Sequence, residues 1–193
     1  MQNEVFSLKF KAMKNRKISL ESGYWTADGI TSPVELIDAF FDFAHLDSYR
    51  KVLSEMVSLM YKKEILRKEY PGQLFIFYLA FRSFLRACYR LQSKAHQWKV
   101  KADETPPEHS KLCLGSLTGE EYQNPFAVFE KAFTEKTLEE YDFFLCETVH
   151  LSLCPCPDAS GEDMMTPYLN MTNMLDAAQL MRERGVEKIE KNL

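Results

Sequence analysis

Cys146, His150 and Cys154 stand four residues apart, and Cys156 follows within Cys-Pro-Cys-Pro. Residues four apart share a face of an α-helix, so the first three line one side of any helix that reaches position 154. Three thiolates and one imidazole make a donor set that zinc accepts in tetrahedral geometry. Structural zinc sites usually draw ligands from two separate elements, which one helix face does not supply. The competing reading is thiols packed as small apolar groups beside a surface or capping histidine, and the pattern favours it.

A second arrangement sets a carboxylate beside an imidazole. Glu147-x-x-His150 has the spacing of half a di-iron carboxylate site, and Asp42-x-x-His45 is a poorer second half. Such halves must face each other inside a bundle. His45 falls at an expected helix corner, which argues against the pairing. Glu55 and Glu147 are better read as solvent-facing helix residues.

Arg82, Arg86, Arg90 and Lys94 recur every four residues and form one basic stripe. A stripe of that spacing can track phosphates. The simpler expectation is pairing with the acidic second half through Glu130, Glu135, Glu139 or Glu140, with Phe81, Phe84 and Tyr89 in the core. The sequence holds no phosphate-cradling glycine loop, no Gly-x-Ser-x-Gly elbow and no kinase-like set of motifs. A triad drawn from His45, His96, His109 and His150 has no supporting pattern. Met164, Met165, Met171, Met174 and Met181 read as a methionine-rich core helix rather than an adaptable binding surface.

Charge is divided along the chain. The net charge is −4, but residues 50–101 carry twelve basic and three acidic side chains, and residues 102–193 carry seven basic and eighteen acidic ones. The expected outcome is a basic middle packed on the acidic last half; an anionic partner is the alternative. Five cysteines in a chain without an expected export signal point to reduced thiols. The start, Met1 to Lys9, has no basic stretch followed by an apolar one, so a cytoplasmic location is expected. The most apolar run, Leu74 to Leu85, is interrupted by Arg82 and is too short to span a bilayer, so no membrane partner is expected.

The elements that position these residues are mainly helical. Phe6, Leu8 and Phe10 alternate with polar residues, as Ile18 and Leu20 do after Lys14-Asn15-Arg16, which predicts a β-hairpin over 4–21. Ser32-Pro33-Val34-Glu35 is a capping box with proline at the first helical position. A second helix is expected over 48–68, and a third, buried around much of its first half, over 73–97. Pro106-Pro107 marks a connector, and Lys111 to Leu117 would add a short strand. Asn124-Pro125 predicts another capped helix start, and Thr137-Leu138-Glu139-Glu140 opens a helix over 138–153. Thr166-Pro167 opens a last helix that Gly185 ends.

A shift of 92 residues aligns the two stretches without a gap. Gly23, Thr26, Pro33, Phe41, Leu46, Tyr49, Leu53, Glu55, Val57 and Leu59 meet Gly115, Thr118, Pro125, Phe133, Leu138, Tyr141, Leu145, Glu147, Val149 and Leu151. About two identities would arise by chance over that length. One copy would struggle to bury its apolar faces alone, whereas two packed face to face would share a core.

The expected fold is therefore mainly α: an internally duplicated helical bundle of two three-helix units with a small N-terminal β-hairpin. Residues 1–31 hold the hairpin, 32–99 the first unit, 100–117 the connector and 118–193 the second unit, within one domain. The expected function is a non-catalytic helical interaction or scaffold protein whose partner is another protein or a second copy. The alternatives are a nucleic-acid or polyanion binder through Arg82, Arg86, Arg90 and Lys94, and a small metalloprotein using Cys146, His150, Cys154 and Cys156. No cofactor is expected apart from zinc in that last case.

Overall fold

In the computed structural model, residues 22–26, 29–62, 71–93, 95–101, 114–154 and 163–189 are described. They form eight α-helices and one two-stranded antiparallel sheet. The helices are α1 (Ser22–Trp25), α2 (Pro33–Phe43), α3 (Leu46–Lys62), α4 (Pro71–Ser93), α5 (Gly119–Gln123), α6 (Phe126–Glu135), α7 (Leu138–Leu153) and α8 (Met165–Arg184). The strands are β1 (Trp98–Val100) and β2 (Val186–Lys188), with Lys99 opposite Glu187. The hairpin expected over 4–21 lies outside the described residues. No helix among them is long and apolar enough to cross a membrane.

Two short corners set the first half of each helical pair. At α2, Ser32 accepts from the Glu35 backbone N–H at 3.1 Å while Glu35 accepts from the Thr31 and Ser32 amides, the predicted capping box. The chain turns at Ala44-His45, and the buried Tyr49 hydroxyl donates to the Phe40 carbonyl at 2.7 Å. At the second corner Thr137 and Glu140 form the predicted box, and the buried Tyr141 hydroxyl donates to the Ala132 carbonyl at 3.0 Å. Desolvation raises the pKa of both phenols, that of Tyr141 to about 12, so both remain donors across the physiological range.

Four local expectations change. Residues 114–117 close a turn, with the Leu117 N–H on the Leu114 carbonyl at 3.2 Å, rather than a strand. Thr118 then caps α5, which leaves no room for extended pairing. Asn124 is not an N-cap: its N–H closes α5 on the Glu120 carbonyl, and Pro125 precedes α6 without a side-chain cap. α8 begins at Met165 rather than at Thr166-Pro167, with Met164 at the cap position, and Asp163 ahead of it accepts from the Met165 and Thr166 amides at 3.2 and 3.1 Å. The third helix ends at Ser93, and β1 takes up the chain to pair with β2. Gly185, at φ +82°, ends α8 as its sequence position implied.

α4 packs on α1, α2, α6 and α7, while α8 packs on α6, α3, α2 and α5, and α3 packs on α7. Burial of Leu74, Leu79, Phe81, Phe84, Leu85 and Leu91 explains the nearly continuous apolar sequence of α4. Phe40 is the centre of an aromatic core, stacked on Tyr49 at 3.7 Å and on Phe84 at 4.6 Å between ring centroids. Met164, Met171, Met174 and Met181 are buried at the start of and along α8, as the core reading required, but Met165 in its first turn is 44% exposed.

Candidate functional site

The basic stripe of α4 is partly exposed. Arg82 donates to both Asp142 carboxylate oxygens at 3.4 and 3.3 Å, and Arg86 donates to one of them at 3.4 Å. Asp142 is thus a shared partner of both, in place of the four glutamates expected from sequence. Asp142 lies on α7, which packs on α4, whereas Glu140 is used by the Thr137 cap and Glu135 accepts from Asn170 at 2.9 Å. Arg82 also lies over the Tyr78 ring at 5.5 Å. Arg90 is half-buried one turn on, and Lys94 lies outside the described residues.

The aromatic neighbours divide. Phe81 and Phe84 are buried, as expected, but Tyr89 is 44% exposed and meets Phe133 edge-on at 5.2 Å. Phe75, 55% exposed, completes the face. Spacings of three and four place Phe75, Tyr78, Arg82, Arg86 and Tyr89 along one side of the helix. The result is a surface strip with guanidinium groups between aromatic rings. Guanidinium groups can engage carboxylates or phosphates, and the rings can take stacked or apolar groups.

On α7, Cys146, His150 and Cys154 are exposed, and the Cys154 N–H closes the helix on the His150 carbonyl. Cys156 lies outside the described residues. Among the described residues no three His, Cys, Asp or Glu side chains gather in a way that could hold a metal ion. Glu147 and Glu55 are half-buried on α7 and α3, not the fully solvent-facing residues expected. The packing of α3 on α7 accounts for this. Asp42 pairs with Arg182, and His45 is exposed at the α2–α3 corner.

Sequence reading missed a buried carboxylate paired between α8 and α3. The Asp176 side chain is fully buried on α8, paired with Arg50 of α3 and accepting from Ser116 at 2.5 Å. Burial raises its carboxyl above the usual range, against the lowering pull of Ser116 and Arg50. A lone carboxylate among Met174, Leu175, Ala177 and Ala178 was the available signal, because helical faces that apolar are buried all round. A surface depression of about 420 Å³ beside α2 holds Glu35, Asp38 and Asp42. Burial raises the Asp38 carboxyl there, and Arg182 at 3.9 Å opposes the shift. A second depression, about 500 Å³, lies between α7 and α8 and is lined by Lys136, Glu139, Phe143, Asp163 and Met164.

Compared with known proteins, the chain matches no family model, no curated protein and no solved structure.

Proposed function

We propose that this is a non-catalytic helical interaction protein, built by internal duplication of a three-helix unit, that binds through the outer face of α4. The observation that carries the reading is the exposure of Phe75 and Tyr89 on the strip that holds Arg82 and Arg86. Large aromatic side chains beside arginine are the composition of binding surfaces, and burying them is their main return in free energy.

Duplication is supported by bonds that recur at the same 92-residue shift as the sequence identities. The Tyr49–Phe40 hydrogen bond corresponds to Tyr141–Ala132. The edge-on contact of Phe41 with Tyr49 at 6.2 Å corresponds to that of Phe133 with Tyr141 at 5.5 Å. Arg50 and Asp142 are also equivalent, and each reaches the third helix of the opposite half with reversed charge. Arg50 meets Asp176 on α8, and Asp142 meets Arg82 and Arg86 on α4. Such reciprocity is what approximate two-fold packing of related units produces.

The test is retention of a protein partner from an extract of the source cells on the immobilised full chain. The double variant F75S/Y89S should fold normally by circular dichroism and lose that partner, identified by mass spectrometry. Equal retention by the variant refutes the α4 face. A second reading, polyanion binding, is favoured by one observation: Arg82, Arg86 and Arg90 follow one another at four-residue spacing on α4, each only partly buried. It requires salt-dependent binding of a single-stranded oligonucleotide that R82A/R86A abolishes; no binding at low salt eliminates it.

A further inference from the structure

The outward face of α7 has the spacing of a helix-pairing seam. Phe143, Cys146, His150 and Leu153 follow one another at intervals of three, four and three residues, the alternation of heptad core positions. In a soluble bundle that stripe would be polar, yet Phe143 is 51% and Leu153 44% exposed, and Cys146 and His150 are exposed between them. Neither the Cys146 nor the His150 side chain has a hydrogen-bond or ion-pair partner among the described residues.

The seam is self-complementary when run antiparallel. A two-fold axis crossing α7 at the level of Thr148 sets Phe143 opposite Leu153 of a second copy, and Cys146 opposite His150 of that copy. Both relations repeat on the other side of the axis, as an isologous contact demands. Two thiols and two imidazoles then converge at the axis, flanked by two apolar layers. Cysteine and histidine four residues apart on one helix have the spacing with which paired histidines bind zinc on a helix face. Two such pairs complete the tetrahedral Cys₂His₂ set that one chain lacks.

We infer that Cys146 and His150 form half of a zinc site, completed by the same two residues of a second copy of this chain. On binding, each thiol gives up its proton to solvent, and the two thiolates neutralise the dication. Size ties dimerisation to the metal. The seam from Phe143 to Leu153 is only about 15 Å long, too short to bury the roughly 1,200 Å² of a standard stable interface by itself. This deepens the interaction reading by naming a second copy as one partner, on a face separate from Phe75 and Tyr89.

The test uses the full chain, stripped of metal with a chelator, dialysed and kept reduced with a phosphine. Zinc titration with light-scattering detection should convert the 22.5 kDa monomer to twice that mass at one zinc per two chains. Cobalt(II) should give the intense visible absorption of tetrahedral thiolate coordination. C146S and H150A should lose both responses, and C154S should keep them. All three residues are exposed, so unchanged circular dichroism checks that the fold survives. One zinc per monomer, a dimer that persists without metal or in H150A, or no zinc uptake would each overturn the inference. F75S/Y89S should dimerise with zinc like the unmodified chain, so failure of the α4 reading and failure of this site are distinguishable.

Discussion

Replacing Arg50 by methionine tests whether Asp176 is held by compensation or merely tolerated. The Asp176 side chain is fully buried, whereas that of Arg50 is 27% exposed. Methionine keeps much of the apolar stem of arginine and removes the charge. Breaking a buried ion pair from one side costs about 3–5 kcal/mol, because the remaining charge has no counter-ion. Ser116 still donates to the carboxylate, and Arg50 is partly hydrated, so the low end applies, about 3 kcal/mol. Asp176→Asn is the milder change. The amide oxygen keeps an acceptor for Ser116, and Arg50 can turn toward water, for a loss of about 1 kcal/mol. The double variant R50M/D176N should therefore be more stable than R50M alone.

The pH dependence has a defined sign. Burial holds the folded-state pKa of Asp176 above its ordinary 3.8, so the folded chain keeps this proton to higher pH than the unfolded chain. Its contribution to stability therefore falls as pH rises from about 3.8 to the raised value, and is level above it. Removing Arg50 raises the value further, so the R50M penalty is absent where Asp176 is protonated in both states and grows with pH. Asp176→Asn removes this dependence. Urea unfolding followed by circular dichroism across the acidic to neutral range measures all of this. Equal losses for R50M and D176N, or an R50M penalty independent of pH, would refute the reasoning.

Tyr49→Phe and Tyr141→Phe should each cost about 1 kcal/mol in urea unfolding, because each removes one buried hydroxyl bond. The Ala44 and Lys136 amides still satisfy the two carbonyls, so neither acceptor is orphaned. Gly185→Ala should lower stability by about 1–3 kcal/mol through its backbone conformation. An added Cβ there would meet only the Lys101 stem at 3.6 Å, so steric crowding is not the cause. Ser32→Ala should cost about 1 kcal/mol. Hydrogen bonds from Thr31 hold the Glu35 carboxyl below its ordinary 4.5, so the cap contributes fully above that pH and is lost as pH falls through the lowered value. Ser32→Ala leaves the bonds from the Thr31 and Ser32 amides to the Glu35 carboxylate in place, so thermal unfolding of the variant should keep that acidic loss, offset from the unmodified chain by a similar amount at neutral and acidic pH.

The longer helices and much of their capping were legible in the sequence, whereas the short α1 and α5 were not expected. Ser32 with Glu35, Thr137 with Glu140, and Gly185 act through partners within a few residues, so type and spacing were enough. The apolar circumference of α4 foretold its central place in the same way. Asn124 misled because a residue that can cap a helix can equally close the one before it, and only the Glu120 bond decides between them. The β1–β2 pair could not be foreseen, since its strands are three residues each, one in mid-chain and the other near the end of the described sequence. Tertiary structure alone chose Asp142 for Arg82 and Arg86, and Asp176 for Arg50, across about 60 and 126 positions of chain. It also decided which side chains on α4 and α7 face water. Periodicity marks a helix face as apolar or charged, but the packing of neighbouring helices determines whether that face is covered.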